Sequence, residues 1–348
     1  MRLRSFFVLG TAALLLISGC TAEPTPTPRP SGSPSVSETT TPTPTPEQIV
    51  EPEAAFDVTC DDVAAEMRDL VGEPSSPVEP ALSVVSTMSW IPGPAQYMFQ
   101  RAGGIACSAG ATGEQHWEVA LVPGAESVIA GATERDGYFG ENARCEAGMC
   151  FFTFPEGEVL LTASVHAPGL GNADVERVEE AMRRLAASAS ASLREVEYIP
   201  SEIVGLPCER FITEQEVAGI VGEDVGLFTD FGGWGIPAEV YEYVNGSRIC
   251  YYTSATGDLG SISSHLMLTA LPAGAWAFER LDGAAVDVEG ADAAKASVGE
   301  NGENILDVRV GADWLRFMTY DNGSGAADPS PLATAAVRNL TVGPTAPQ

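Results

Sequence analysis

Residues 56–192 and 202–342 repeat one pattern, and this duplication limits the folds open to the chain more than any other feature of its 348 residues. The first copy opens Cys60-Asp-Asp-Val and reaches Leu70-Val-Gly-Glu73. The second opens Cys208-Glu-Arg-Phe and reaches Ile220-Val-Gly-Glu223. Trp90 with Tyr97-Met-Phe99 is matched by Trp234 with Tyr241-Glu-Tyr243, Cys107 by Cys250, His116 by His265, and Glu134-Arg135 by Glu279-Arg280. The offset stays between 143 residues (Cys107 to Cys250) and 150 (Gly72 to Gly222). Two copies of about 140 residues suit two single-core modules of ordinary size.

The repeat also sorts the cysteines. Of the seven, Cys20 stands apart and six remain, an even number that in an exported chain points to disulfides. Each copy has one cysteine before its first helix and one in an early strand, so Cys60–Cys107 and Cys208–Cys250 are the pairings that recur. Cys145 and Cys150 have no counterpart in the second copy and are expected to close a local loop on each other. Their four-residue spacer is not that of a redox CxxC pair.

Within each copy the pattern predicts helix, antiparallel sheet, helix, an α+β class. Thr213-Glu-Gln-Glu216 reads as a capping box, with Val217, Ile220 and Val221 on one helical face. Val63, Met67, Leu70 and Val71 form the corresponding face in copy one, and Gly72 and Gly222 end the two helices. Alternating stretches predict strands at Tyr97–Phe99, Trp117–Val122, Phe151–Phe154 and Val159–Val165. In copy two they fall at Val240–Val244, Ile249–Thr253, Leu266–Leu271, Ile305–Val310 and Trp314–Tyr320. Closing helices are expected after an Asn172 cap and after Pro331 at the first helical turn.

Ahead of the copies, Arg2 and Arg4, the apolar run Phe6–Ile17 and Ile17-Ser-Gly-Cys20 make a secretory signal over residues 1–19. The last four residues resemble the lipobox of bacterial lipoproteins. That resemblance implies diacylglycerol on Cys20 and a location at the outer face of the cell membrane. Residues 20–55 then carry the lipidated cysteine and a Thr/Pro-rich segment without aromatics after Cys20, too polar to offset the entropy of ordering and expected to be a stalk. At ~3.1 Å per residue, such a stalk reaches roughly 100 Å. Residues 343–348 are expected to be a disordered tail.

The balance of 18 basic against 48 acidic residues, net −30, repels nucleic acid and anionic lipid. No nucleic-acid partner is therefore expected; the lipid anchor that the lipobox resemblance implies makes the membrane the expected partner, with a further one in the cell wall or envelope.

No G-x-S-x-G, S-x-x-K or H-E-x-x-H motif occurs. No cofactor or metal motif is present either, since no second histidine stands two to four residues from another. Candidate ligand-binding residues are the recurring aromatics Trp90, Tyr97, Trp234, Tyr241 and Tyr243, and the equivalent histidines His116 and His265. The competing reading places the aromatics in the core and the histidines on a wet strand face.

A cysteine ahead of the capped helix Ile212–Gly222, followed by the strand Arg248-Ile-Cys-Tyr-Tyr252, resembles uncharacterised actinobacterial lipoproteins and kinase sensor ectodomains. Copy one departs from it at Cys107, where Ser108-Ala-Gly110 follows. The resemblance implies fold and location and carries over no catalytic residue. The expected function is a non-catalytic, membrane-anchored module binding an envelope ligand or polymer. A partner-binding or sensor-linked lipoprotein is the alternative, and an unrecognised cell-wall hydrolase is a third.

Overall fold

The structure, a computed structural model, describes residues 49–83, 93–111, 114–229, 235–254, 263–323 and 325–342. The signal, Cys20, most of the stalk, Trp90, Trp234 and the tail lie outside the described residues.

In copy one, α1 (Cys60–Val71) starts at Thr59, whose hydroxyl accepts the Asp62 N–H while the Asp62 carboxylate accepts the Thr59 N–H. This is a reciprocal cap. A 3-10 turn (Pro94–Tyr97) leads into the short α2 (Met98–Arg101). Then come β1 (Ile105–Gly110), β2 (His116–Pro123), α3 (Ala125–Glu134), β3 (Asn142–Glu146), β4 (Met149–Glu156), β5 (Val159–His166) and α4 (Val175–Ala191). The strands form an antiparallel sheet in the order β1-β2-β5-β4-β3.

Copy two runs α5 (Cys208–Phe211), α6 (Glu214–Val221), β6 (Val225–Phe228) and α7 (Ile236–Ala238), which continues as a π-helical turn (Glu239–Val244). It goes on through β7 (Arg248–Ser254), β8 (Ser264–Leu271), α8 (Ala275–Phe278), β9 (Ala284–Val286), β10 (Ala293–Val298), β11 (Asn304–Val310), β12 (Asp313–Thr319) and α9 (Ser330–Val342). Its sheet has the order β6-β7-β8-β12-β11-β10-β9. The five inner strands of this sheet repeat the order of the first, and β6 and β9 are added at the edges. Cys107 faces Val119 across β1 and β2, and Cys250 faces Leu268 across β7 and β8, so the five shared strands correspond in register as well as in order.

All three expected disulfides are present: Cys60–Cys107, Cys145–Cys150 and Cys208–Cys250. The Thr213–Glu216 capping box and the left-handed Gly222 are also as expected. At α4 the cap differs. Asn172 lies in a 3-10 turn, and the Asp174 carboxylate closes that turn by accepting the Gly171 N–H.

Each sheet packs against other elements on both faces. The outer face of the first packs Val119, Leu121, Phe152, Phe154 and Leu161 against α1 and α4. The outer face of the second packs Tyr252, Leu268, Leu315 and Phe317 against α5, α6 and α9. The inner faces share a third core: Ala120, Val122 and Leu160 from one sheet and Ile249, Leu271 and Trp314 from the other. The short helices of both copies fill the layer between them.

That middle layer corrects two expectations. Tyr97–Phe99 and Val240–Val244 are helical, not strands. Pro94 and Pro237 sit at the first helical turns, where a missing N–H costs nothing. Burial follows helical spacing, with Ala95, Met98, Phe99 and Ala102 in one segment and Ile236, Val240 and Tyr241 in the other. The i, i+2 aromatic pairs that imitate a strand do not share one environment: Phe99 is buried and Tyr97 half-buried against Trp276 and Trp314. Tyr241 is fully buried, while Tyr243 is half exposed. Polar contacts lock the layer: the Asn245 side chain donates to the Met98 carbonyl (2.8 Å), and Arg135 pairs with Glu239 (3.0 Å).

Candidate functional site

The inner face of the first sheet is only partly covered by the shared core. Beyond Ala120 and Leu160, its rows continue as Thr162 with Thr153, then Glu118, Ser164 and Phe151 with Arg144. Cross-strand partners share a face, so these side chains line one surface. Together with the loop Gly137–Glu141 and with Ile236 and Pro237 of copy two, they enclose an open groove of about 640 Å³. Its floor is mixed. The Arg144 guanidinium lies 5.3 Å from the Phe151 ring centre, Glu118 accepts the Ser83 N–H (2.6 Å), and the three hydroxyls of Thr153, Thr162 and Ser164 stand in the lining. Phe139 stands at the rim, 90% exposed between Gly137-Tyr138 and Gly140. Burial pushes the Tyr138 hydroxyl above its ordinary range, and Glu141 adds to the effect, so it remains a neutral donor at physiological pH.

The duplicated sheet shows what such a groove becomes when it is filled. Ala120 pairs with Thr162, and 149 residues further on Thr269 pairs with Arg316, the same offset that relates His116 to His265. Arg316 therefore stands where Thr162 does. Asp307, facing Arg316, stands where Thr153 does. The Arg316 guanidinium donates two hydrogen bonds to the Asp307 carboxylate (2.7 and 2.9 Å), and the Trp314 indole N–H donates a third (2.7 Å). Gly93 of copy one lies so close that a Cβ there would stand 2.6 Å from the guanidinium. Tyr97 packs edge-on to Trp276, with ring centres 5.3 Å apart, and tilted against Trp314 at 5.9 Å. Copy two thus seals with a buried ion pair the surface that copy one leaves open and lined with hydroxyls.

The sequence-derived candidates fare unequally. Tyr241 is core: its hydroxyl donates to the Ala270 carbonyl (2.6 Å), and burial pushes its pKa far up. Tyr97 is half-buried in the middle layer. Tyr243 is covered on one side by Arg135, whose guanidinium carbon lies 3.4 Å from the ring centre. His265 is buried, with Nε2 3.7 Å from the Glu223 carboxylate and Nδ1 3.4 Å from the Asn322 amide nitrogen. His116 is half-buried on the inner face of the first sheet, one row beyond Glu118, and desolvation followed by the charge of neighbouring His166 lowers its pKa. The structure therefore does not gather these residues into one site. The groove is instead lined by Tyr138, Phe139, Arg144 and Phe151, none of them among the candidates. Phe139 did leave a signal, since an aromatic pair flanked by glycines in a polar loop is unusual for a buried segment.

Among the described residues no three of His, Cys, Asp and Glu come together as a metal-ligand set. No described helix is long and apolar enough to cross a membrane. No family model, curated protein or solved structure matches the chain.

Proposed function

We propose that this chain is a non-catalytic binding module of the bacterial envelope, held to the outer face of the cell membrane by lipid on Cys20, and that its ligand lies in the groove on the first sheet. The observation that carries this reading is the asymmetry between the copies: one inner face is closed by Arg316 and Asp307, and its equivalent is open, with threonines at the same places. A duplication needed only for packing has no reason to leave one of two equivalent faces unfilled.

The lining favours a neutral, hydroxyl-rich polymer such as a wall glycan. Phe139 and Phe151 offer flat apolar faces for sugar rings. Thr153, Thr162, Ser164, Asn142 and Arg144 offer hydrogen-bonding groups. The net charge of −30 disfavours polyanionic ligands.

Co-sedimentation with purified cell walls tests the reading. The wild-type chain is expected to pellet with walls, and the Phe139→Ala/Phe151→Ala variant to remain in the supernatant. Equal pelleting of both would exclude the groove.

A further inference from the structure

The groove floor ends on a cation without a counter-ion. The row Glu118, Ser164, Phe151 and Arg144 crosses β2, β5, β4 and β3 in turn. Neighbouring strands lie ~4.8 Å apart, so Glu118 and Arg144 stand roughly 14 Å from each other, at opposite ends of the row. Arg144 is exposed, and its guanidinium carbon lies over the Phe151 ring, 5.3 Å from its centre. Among the described residues no hydrogen bond or ion pair engages it. In a chain of net −30 that is unusual. Most of the described arginines pair with a carboxylate, and Arg101, Arg248 and Lys295 donate to carbonyls. Only Arg144 and Arg210 have neither kind of partner, and Arg210 stands outside the groove.

The nearby carboxylates are engaged or apart. Glu141 meets Arg183 at 3.4 Å, Glu118 lies at the far end of the row, and Glu146 is not part of the groove lining. The second copy again supplies the comparison. Thr153 corresponds to Asp307, so Phe151 corresponds to Ile305 and Arg144 to Ser297. Ile305 and Ser297 pair across β11 and β10 as Phe151 and Arg144 pair across β4 and β3. The sealed face therefore has neither the ring nor the guanidinium, and both occur only where the face is open.

A guanidinium lying over a ring keeps its five N–H donors in its own plane, and their fork matches a carboxylate with two parallel bonds. Asn142, two residues earlier on the same face of β3, adds an amide to the lining beside it. We infer that the ligand of the groove carries an isolated carboxylate, bound by Arg144, on an otherwise neutral and hydroxyl-rich chain, as an acid-substituted sugar in a glycan would. This rests on the groove reading above and deepens it by one charged contact. Arg144 is the one basic residue in the described lining, so a single carboxylate is matched. A densely charged polyphosphate is the poorer fit, because the net charge of −30 repels it.

The test is calorimetric titration of the full chain with soluble glycan fragments released from purified cell walls. One portion is left untreated, and in the other the carboxylates are reduced to alcohols with carbodiimide and borohydride. The wild-type chain is expected to bind the untreated fragments about tenfold or more tighter than the reduced ones, as befits a hydrogen-bonded charge. Arg144→Gln is expected to lose that preference, and Arg144→Lys, which keeps the charge without the fork, to recover part of it. Unchanged circular dichroism and thermal midpoint show that each variant is folded. Equal wild-type affinity for both fragment sets overturns the carboxylate while leaving the groove reading in place. A preference that survives in folded Arg144→Gln overturns the role of Arg144. A wild-type chain that binds neither set overturns the groove reading and this inference with it.

Discussion

Thr162 in β5 occupies the register position that Arg316 occupies in β12. Around that exchange the two copies part ways: one sheet buries a guanidinium against a carboxylate, and the other keeps hydroxyls at the floor of a groove.

The buried pair should be expensive to break from one side. Asp307→Ala leaves Arg316 and the Trp314 indole without their acceptor and is expected to cost about 3–5 kcal/mol. The double change Asp307→Thr/Arg316→Thr, which installs the residues of copy one, should cost less than the single change, because no charge is left unpaired. Urea unfolding of the two variants checks this order.

Because the copies share a core through Val122, Leu160, Leu271 and Trp314, the described part of the chain is expected to unfold in one cooperative transition. Cys→Ala replacement of Cys60–Cys107 or of Cys208–Cys250, which close loops of 47 and 42 residues, should lower that single transition by about 2–4 kcal/mol each. The five-residue Cys145–Cys150 loop should contribute less. Two separated transitions in calorimetry would show that the copies fold independently.

Glu216 ties α6 to α9 and gives stability a pH signature. Burial alone would raise its pKa. The Thr213 amide, the Asn339 amide, the Thr213 hydroxyl and Arg338 together outweigh burial and hold it below the ordinary carboxylate range. A carboxylate with a lowered folded-state pKa stabilises above its unfolded value of ~4.3, and that stability is lost as pH falls through the folded value. The wild-type advantage over Glu216→Gln should therefore be full at pH 6 and shrink below about pH 4, as measured by thermal melts across that range.

Tyr241→Phe separates a packing role from a binding role. Losing the hydroxyl removes its bond to the Ala270 carbonyl and is expected to cost about 1 kcal/mol of stability. Wall binding should not change, because the ring lies in the shared core and not in the groove.

Much of this architecture is legible in the sequence. The repeat paired Cys60 with Cys107 and Cys208 with Cys250, and Thr213-Glu-Gln-Glu216 announced its cap, because these are local patterns or patterns present twice. The aromatic segments look like strands in the sequence because Tyr97 and Phe99, like Tyr241 and Tyr243, alternate over a span too short to tell strand from helix. Their burial depends on a partner about 145 residues away, as in the Asn245–Met98 contact. The groove was hidden for a related reason. It is defined by the lack of large side chains at Thr153 and Thr162, and that lack has meaning only beside Asp307 and Arg316, once strand register shows which residues correspond.

The central claim is that ligand binding belongs to the open face of copy one. Backbone amide shifts of the labelled chain, titrated with soluble wall fragments, test it most directly, with Thr153→Asp/Thr162→Arg as the filled-groove control. Perturbations are expected to cluster at Tyr138–Asn142, Arg144, Phe151 and Thr162, and to vanish in the control while its remaining spectrum stays folded. Perturbations centred on the second sheet, or persisting in the filled variant, would contradict the account.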